Sequence, residues 1–201
     1  ENPEENELQH YYTMPLEKSH ELRYGENAHQ KAALYLTADH KGAFGGMEQF
    51  QGKELSYNNI RDLDVAWKAV SAYNKFVKNA ESVKSDDGST VNFAGTEGSI
   101  FTIALKHNTP CGAALGKDAL DSYKKTYECD PVSIFGGIIG CSGTMDKAAA
   151  EEMVQCFLEV IVAPDFTEEA LEVFKAKKNL RIIKATVEAT EEVAEPVAEA
   201  E

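Results

Sequence analysis

The sequence has 201 residues, is 43% hydrophobic and carries a formal net charge of −14 at pH 7, so it can bury a core but has an acidic surface. This balance argues against a nucleic-acid partner, since phosphate backbones attract basic surfaces. No apolar run approaches the roughly 20 residues that span a bilayer, and the acidic start lacks the basic and apolar regions of a signal peptide. We therefore expect no membrane partner.

The two ends of the chain differ from its centre. Residues 1–20 form an acidic, polar N-terminal segment, and residues 185–201 are rich in glutamate without any Lys or Arg. Such a composition is typical of a disordered tail or an interdomain linker. The sequence therefore predicts a folded unit over residues 21–184.

The first candidate binding segment is the polar stretch RYGENAHQ at 23–30. Dense polar stretches without helix or strand periodicity are often binding loops. Arg23 is suited to a forked contact with phosphate or carboxylate, Tyr24 to stacking on a ring, and His29 to donating to an anion. An ordinary surface turn, capped by its own side chains, is the alternative.

A short strand predicted at 32–36 precedes a Gly-rich loop and an amphipathic helix of about five turns. The helix should begin near Asn58 or Asn59, either of which is a suitable N-cap. Asn59 and Asp62 lie at the N-terminus of this helix, where they serve as caps or as hydrogen-bonding partners of a ligand. The apolar stripe of the helix, which we assign to the core, consists of Ile60, Leu63, Trp67, Val70 and Val77.

The central candidate site is the stretch KHNTPCG at 106–112, which follows an apolar run of strand length at 99–105. Ligands of open α/β sheets usually bind beyond the carboxyl ends of strands, so Lys106 and His107 lie where chemistry is expected. The Pro and Gly residues that follow predict a turn and then a helix. The alternative is that the pair is a solvated strand end.

Downstream of this stretch, predicted strands alternate with helices, which indicates an α/β sheet with mostly parallel pairing. Gly136 and Gly137 interrupt one strand and mark a bulge or a close approach of a backbone or ligand. Asp146 and Thr167 are suited to cap two of the helices. The predicted segments are a polar loop at 79–98, a helix at 117–128, and strands at 132–141, 160–164 and 180–183.

The four cysteines are scattered, without a CxxC pair or other short spacing. This favours reduced thiols over a disulfide framework or a zinc site, and it predicts a cytoplasmic protein without a metal. The residues concerned are Cys111, Cys129, Cys141 and Cys156.

Five stretches of this sequence resemble, in order, motifs of the AICAR transformylase region of the bifunctional AICAR transformylase/IMP cyclohydrolase family. They are RYGENAHQ (23–30), QGKELSYNN (51–59), KHNTPCG (106–112), DPVSIFGG (130–137) and KKNLR (177–181). The resemblance covers about residues 21–184, which correspond to only the first of the two similar halves of that region. It implies an α/β fold of the cytidine deaminase-like type, a three-layer sandwich with a mixed, mostly parallel sheet.

The resemblance also implies an activity, that of a phosphoribosylaminoimidazolecarboxamide formyltransferase. Such an enzyme transfers the formyl group of 10-formyltetrahydrofolate to the 5-amino group of AICAR (5-aminoimidazole-4-carboxamide ribonucleotide), on the way to IMP. By match to the family motif, His107 relays a proton, and Lys106 orients groups and stabilises negative charge. The residues implied to contact AICAR are Arg23, Tyr24, His29, Asn59, Phe135, Gly136 and Asp146.

The implied partners are AICAR, the folate, and either a second copy in a homodimer or a complementing second half of the transformylase. Two other functions stay open. A silent nucleotide-binding or interaction module would bind AICAR without turnover. A zinc-dependent deaminase would need a PCxxC motif, but Pro110 and Cys111 are followed by Gly112, Ala113 and Ala114, so the second thiolate is missing.

Overall fold

The computed structural model of the chain describes residues 13–39, 44–77, 82–84, 88–92, 95 and 98–186. No helix within these ranges is long and apolar enough to cross a membrane. The elements in chain order are β1 (Leu16–Leu22), β2 (Ala32–Thr37), β3 (Glu48–Gln51), α1 (Tyr57–Ala72), β4 (Ser82–Lys84), β5 (Thr90–Asn92), β6 (Ile100–Lys106), β7 (Thr109–Gly116), α2 (Ala119–Cys129), β8 (Gly137–Cys141), α3 (Lys147–Met153), β9 (Leu158–Ala163), α4 (Glu168–Phe174) and β10 (Arg181–Lys184).

The central feature is a six-stranded sheet in the order β3-β10-β9-β8-β6-β7. Strands β8, β9 and β10 are parallel, whereas β6 pairs antiparallel with both β8 and β7, and β3 pairs antiparallel with β10. The mixed α/β sheet is therefore confirmed, but its parallel pairing is confined to β8, β9 and β10. The difference arises after Lys106, where the chain first forms a hairpin that returns β7 along β6. The helix predicted at 117–128 then follows as α2.

Helix α1 confirms the predicted amphipathic helix with an earlier start. Its N-cap is Ser56, not Asn58 or Asn59. The hydroxyl of Ser56 accepts from the Asn59 N–H (3.3 Å), and the Asn59 side-chain oxygen accepts from the Ser56 N–H (3.1 Å). This reciprocal capping box fixes the first turn, and the helix continues beyond its last α-helical residue as one π-helical turn, Tyr73–Val77.

Successive residues of the central strands alternate between two apolar layers. On one face, Ile138 and Val160 pack against α1. On the other face, their neighbours Ile139 and Ile161 pack with residues of α2, α3 and α4. Helices therefore cover both faces of the sheet, which gives the three layers of the expected sandwich, while the likeness to cytidine deaminase stays a prediction.

Strand β8 begins only at Gly137, so the strand predicted at 132–141 is wrong in its first half. Residues 131–136 form turns, because the Asp130 carboxylate accepts from the N–H groups of Val132 (3.1 Å) and Ser133 (2.8 Å). Gly136 has a φ of +73°, and a Cβ on Gly137 would lie 2.7 Å from the carbonyl oxygen of Leu105. The Gly pair thus permits a left-handed turn followed by the close backbone approach that its position suggested.

The structure adds strands where none was predicted. Strand β1 pairs antiparallel with β2, so part of the N-terminal polar segment is a strand, and β4 pairs with β5 within the predicted loop at 79–98. Ala185 is buried and its N–H donates to the carbonyl of Ala163 (3.1 Å), so this first residue of the predicted tail packs against the folded unit. The predictions for residues 1–12 and 187–201 lie outside the described residues.

Candidate functional site

A cavity of about 310 Å³ opens at the carboxyl end of β6. It is bounded by the loop before α1, the first turns of α1, the β6–β7 turn and the first residues of β8 and β9. Because β6 runs antiparallel to β8, the carboxyl end of β6 lies beside the amino ends of β8 and β9. The predicted site residues that line this cavity are Tyr24, Asn59, Lys106, His107 and Gly136.

Lys106 is the last residue of β6, and its ammonium is held at the cavity by the turn before β8. Its Nζ donates to the carbonyl oxygen of Phe135 (2.7 Å). An ammonium group has three N–H donors, so it can keep this bond and still contact a ligand. The ring of Phe135 is 58% exposed and packs against Phe157, with 5.2 Å between ring centroids. The predicted residues Lys106 and Phe135 are therefore in contact, through the backbone of the latter.

His107 and the next residue, Asn108, form the tight turn between β6 and β7. Both have positive φ, +53° and +62°, as the two central residues of a type I′ hairpin turn require. Neither is glycine, although Asn and His adopt positive φ more readily than most residues with a Cβ. His107 is exposed at the edge of the cavity, so its imidazole lies where a ligand can reach it.

The polar stretch 23–30 is anchored to the start of α1 by its backbone. The Arg23 N–H donates to the Leu55 carbonyl (2.9 Å), and the Tyr57 N–H donates to the Tyr24 carbonyl (3.0 Å). Only Tyr24 of this stretch lines the cavity. The guanidinium of Arg23 lies over the Tyr24 ring, 5.4 Å from its centroid, and Arg23 and His29 are both exposed.

Glu159 is a cavity residue that the sequence analysis did not identify. Its Oε2 accepts from Asn59 Nδ2 (3.0 Å) and lies 3.9 Å from Nη1 of Arg181. Arg181 is buried and donates to the carbonyls of Lys53 (3.1 Å) and Glu54 (3.1 and 3.2 Å). Burial lowers the pKa of the Arg181 guanidinium, and the charge of Glu159 opposes that change.

Glu159 was not predicted as a site residue, because the strand that corresponds to β9 was predicted to begin at residue 160. The signal that was available is a charged residue inside the apolar run LEVIVA of β9. A carboxylate at the amino end of an otherwise buried strand is unusual, and it gains significance only when that strand end is known to face Lys106 and His107.

Asn59 is part of the cavity wall, but both ends of its amide are engaged by the protein. Its oxygen accepts from the Ser56 N–H and from the Ser56 hydroxyl (2.9 Å), while its nitrogen donates to Glu159. Asn59 is also 5% exposed. Its side chain therefore takes part in the cap of α1 and positions Glu159, while a hydrogen bond from Asn59 to a ligand stays a prediction.

Four predicted site residues do not line this cavity. Arg23, His29 and Phe135 belong to the same loops as residues that do, whereas Asp146 is remote from it. Its carboxylate accepts from the Ala149 N–H (2.8 Å) and caps α3, as predicted. It follows the carboxyl end of β8, and Thr102, near the start of β6, pairs there with Cys141. Because β6 and β8 run in opposite directions, Asp146 lies beyond one end of these strands and Lys106 lies at the other end.

The cavity concentrates charge of both signs. Lys106 and Arg61 contribute cationic groups to its wall, and Asp62 and Glu159 contribute carboxylates. In a protein with a net charge of −14, these local cations rather than the overall field must attract an anion. The arrangement suits a small ligand that carries both an anionic group and hydrogen-bond donors. Within the described part of the chain, no group of three or more His, Cys, Asp or Glu residues is placed to hold a metal ion.

Comparison with known proteins gives a consistent picture. A family model described as AICARFT/IMPCHase bienzyme matches residues 1–199. The "Bifunctional purine biosynthesis protein PurH" of Clostridium acetobutylicum is 50% identical over 181 residues, which are 90% of this chain and 32% of that protein. The protein of the same name from Brachyspira hyodysenteriae is 47% identical over 184 residues, which are 92% of this chain and 32% of that protein. The chain thus spans about a third of the length of these relatives.

Among solved structures, RibD of Acinetobacter baumannii (form 2) is similar to this chain with a TM-score of 0.41 and 9% sequence identity. The match covers 61% of this chain and 35% of that chain. Structural similarity at this level supports no conclusion about fold or function.

Proposed function

Since the chain belongs to the AICARFT/IMPCHase bienzyme family, we propose that it acts in purine biosynthesis, as part of a site that transfers a formyl group from 10-formyltetrahydrofolate to AICAR. The observation that best supports this proposal is the cavity, on which Tyr24, Lys106 and His107 converge from distant parts of the sequence. Its mixed charges suit AICAR, which carries a phosphate together with ribose hydroxyl, amine and carboxamide groups.

The nucleotide would be held by the residues around this cavity. Tyr24 offers a ring for stacking, and the exposed guanidinium of Arg23 beside it is free to turn toward a phosphate, which Arg binds through paired hydrogen bonds. His29 supplies a further donor from the same loop. Glu159 offers carboxylate oxygens to hydroxyl or amine donors, while the Gly136 backbone leaves room for close approach.

The proposed chemistry uses His107 and Lys106. The 5-amino group of AICAR is a weak nucleophile, because its lone pair is conjugated with the imidazole ring and the carboxamide. His107 would take a proton from this nitrogen as the new C–N bond forms, and Lys106 would stabilise the negative charge on the formyl oxygen. The bond between the formyl carbon and folate N10 then breaks. The proton is delivered to N10, so the products are formyl-AICAR and tetrahydrofolate.

The rest of the active site would come from outside this chain. The chain spans about a third of its relatives, and exposed apolar rings, Phe135 and Phe157, lie beside the cavity. We propose that a complementing second half of the transformylase region, or a second copy in a homodimer, covers this surface and completes the folate site. Folate is a cosubstrate in this scheme, and no step requires a metal.

Calorimetric titration of the 201-residue chain with AICAR tests the nucleotide half of the proposal. We expect saturable binding that the Arg23→Ala variant weakens at least about tenfold, because a charge-assisted contact to phosphate is lost. The His107→Ala variant should bind AICAR within about threefold of the unmodified chain, since the proposed role of His107 lies in the reaction.

The Lys31→Ala variant is the matched control, because it removes a neighbouring exposed cation, whereas the Arg23 guanidinium lies over the ring of Tyr24, which lines the cavity. Its affinity should stay within about twofold of the unmodified chain. No binding at millimolar AICAR, or an equal loss in Lys31→Ala, would contradict a nucleotide half-site in this chain. Specific binding without formyl transfer in a complemented enzyme would instead favour a silent nucleotide-binding module.

A further inference from the structure

The turn that carries His107 is strained, and the strain has an identifiable cause in the sequence. A type I′ turn is ordinarily built from Asn-Gly or similar pairs, which adopt positive φ at little cost. Here a histidine takes the first central position, with Asn108 in the second, and both are left-handed. Asn and His enter this region more readily than most residues, but they still need support from the surrounding structure to stay there.

The group that holds this turn is the carboxylate of Asp62. Its Oδ1 accepts from the backbone N–H of Asn108 at 2.7 Å, a short distance that is typical of a bond to a charged acceptor. In the amide orientation that satisfies both ends of the Asn108 side chain, its nitrogen also donates to Asp62 Oδ1 (2.8 Å) and to the Arg61 carbonyl (3.1 Å). Its oxygen then accepts from Arg61 Nη2 (2.9 Å).

Asp62 is itself carried by a rigid element. It lies in the second turn of α1, between the capping box at Ser56 and the core residues Leu63 and Trp67, which are 0% and 1% exposed. The backbone of Asp62 is therefore fixed, which restricts the positions that its carboxylate can reach. An acceptor restricted in this way determines where the backbone of Asn108 lies. The position of Asn108 in turn determines the orientation of His107, the residue before it.

We propose that Asp62 is a positioning residue that holds His107 in its left-handed conformation and thereby aims the imidazole into the cavity. Asp62 acts through Asn108 and need not touch substrate. The reason for positioning His107, its proton relay, rests on the proposed function. The contacts among Asp62, Asn108 and His107 exist without any ligand.

The test is NMR spectroscopy of the ligand-free chain, comparing the unmodified protein with the Asp62→Ala, Asp62→Asn and Asn108→Gly variants. In Asp62→Ala, hydrogen exchange of the Asn108 amide should accelerate at least about tenfold, the ratio expected for a lost charge-assisted bond. The ring signals of His107 should shift, because the imidazole leaves its present environment. Asp62→Asn keeps an acceptor oxygen, and Asn108→Gly keeps the backbone N–H and removes the strain at position 108, so both should retain the His107 signals.

Asp64→Ala is the matched control, since it removes a carboxylate of the same helix that pairs only with Lys68 (2.6 Å) in the described structure. It should leave the His107 signals and the Asn108 exchange rate unchanged. If Asp62→Ala also leaves both unchanged, or if Asp64→Ala changes them equally, the positioning role is overturned.

AICAR titration of the same variants separates this inference from the proposed function. Failure of the unmodified chain to bind AICAR would count against the function alone, because the exchange rate and ring signals are measured without ligand. Should Asp62→Ala prove unfolded by circular dichroism, the folded Asp62→Asn and Asn108→Gly variants decide the matter. Loss of the His107 signals in both would overturn the inference.

Discussion

Formyl transfer is expected to fall by about 10²- to 10⁴-fold when His107 is replaced by Ala, the range typical of a lost general acid or base. The suitable assay uses a chimera in which this chain replaces the matching 181-residue segment of the Clostridium acetobutylicum relative, which is 50% identical. The rate of tetrahydrofolate release at saturating AICAR and 10-formyltetrahydrofolate reports the chemical step. The loss should appear in kcat and not in the KM for AICAR, because the group acts in the transition state.

The matched control for this experiment is His20→Ala. His20 is an exposed histidine on β1 that contacts Ser19 (3.1 Å) and does not line the cavity. Its removal should change kcat by less than about twofold. A His107→Ala chimera with nearly full kcat would show that another group moves the proton, and an inactive unmodified chimera would contradict formyl transfer by this segment.

Trp67→Ala is expected to lower the free energy of unfolding by about 3–5 kcal/mol, the range found when a large aromatic side chain is removed from a core. Trp67 is 1% exposed and packs in the apolar layer between α1 and the sheet. The same helix carries Asn59 and Asp62 at the cavity. The substitution should therefore also weaken AICAR binding when the protein is partly unfolded, because a population that lacks the fold cannot bind.

Urea denaturation followed by circular dichroism measures the effect, and Lys68→Ala provides the control from the next position of the helix. Lys68 is exposed and pairs only with Asp64 among the described residues, so its loss should cost less than about 1 kcal/mol. Equal effects of the two substitutions would show that the apolar layer under α1 does not stabilise the protein as its burial indicates.

Local patterns predicted the elements around the site well. The spacing of apolar residues identified α1 and placed Trp67 in the core, because helical periodicity directly reflects which face is buried. Capping residues were equally informative at Asp146 and Thr167, which accept from backbone N–H groups of α3 and α4. The start of α1 was misjudged, since Ser56 and Asn59 share the cap and either sequence position satisfies the rule.

Strand direction was the feature that local patterns could not supply. Pro110 and Gly112 after the Lys-His pair predicted a turn and then a helix. The helix is present as α2, but strand β7, which precedes it and pairs with β6 in a hairpin, was not predicted. A run of apolar residues reports burial but not the direction or partner of a strand, which depend on contacts far away in sequence.

The sequence by itself determined that a lysine and a histidine end a buried strand, that a polar loop and a capped helix accompany them, and which faces form the core. Only the tertiary structure decided what surrounds Lys106 and His107. Because β6 runs antiparallel to β8, the amino ends of β8 and β9 meet the carboxyl end of β6, which brings Glu159 into the cavity and leaves Asp146 at the opposite edge. Long-range strand pairing sets this relation, and periodicity, composition and capping rules act over only a few residues.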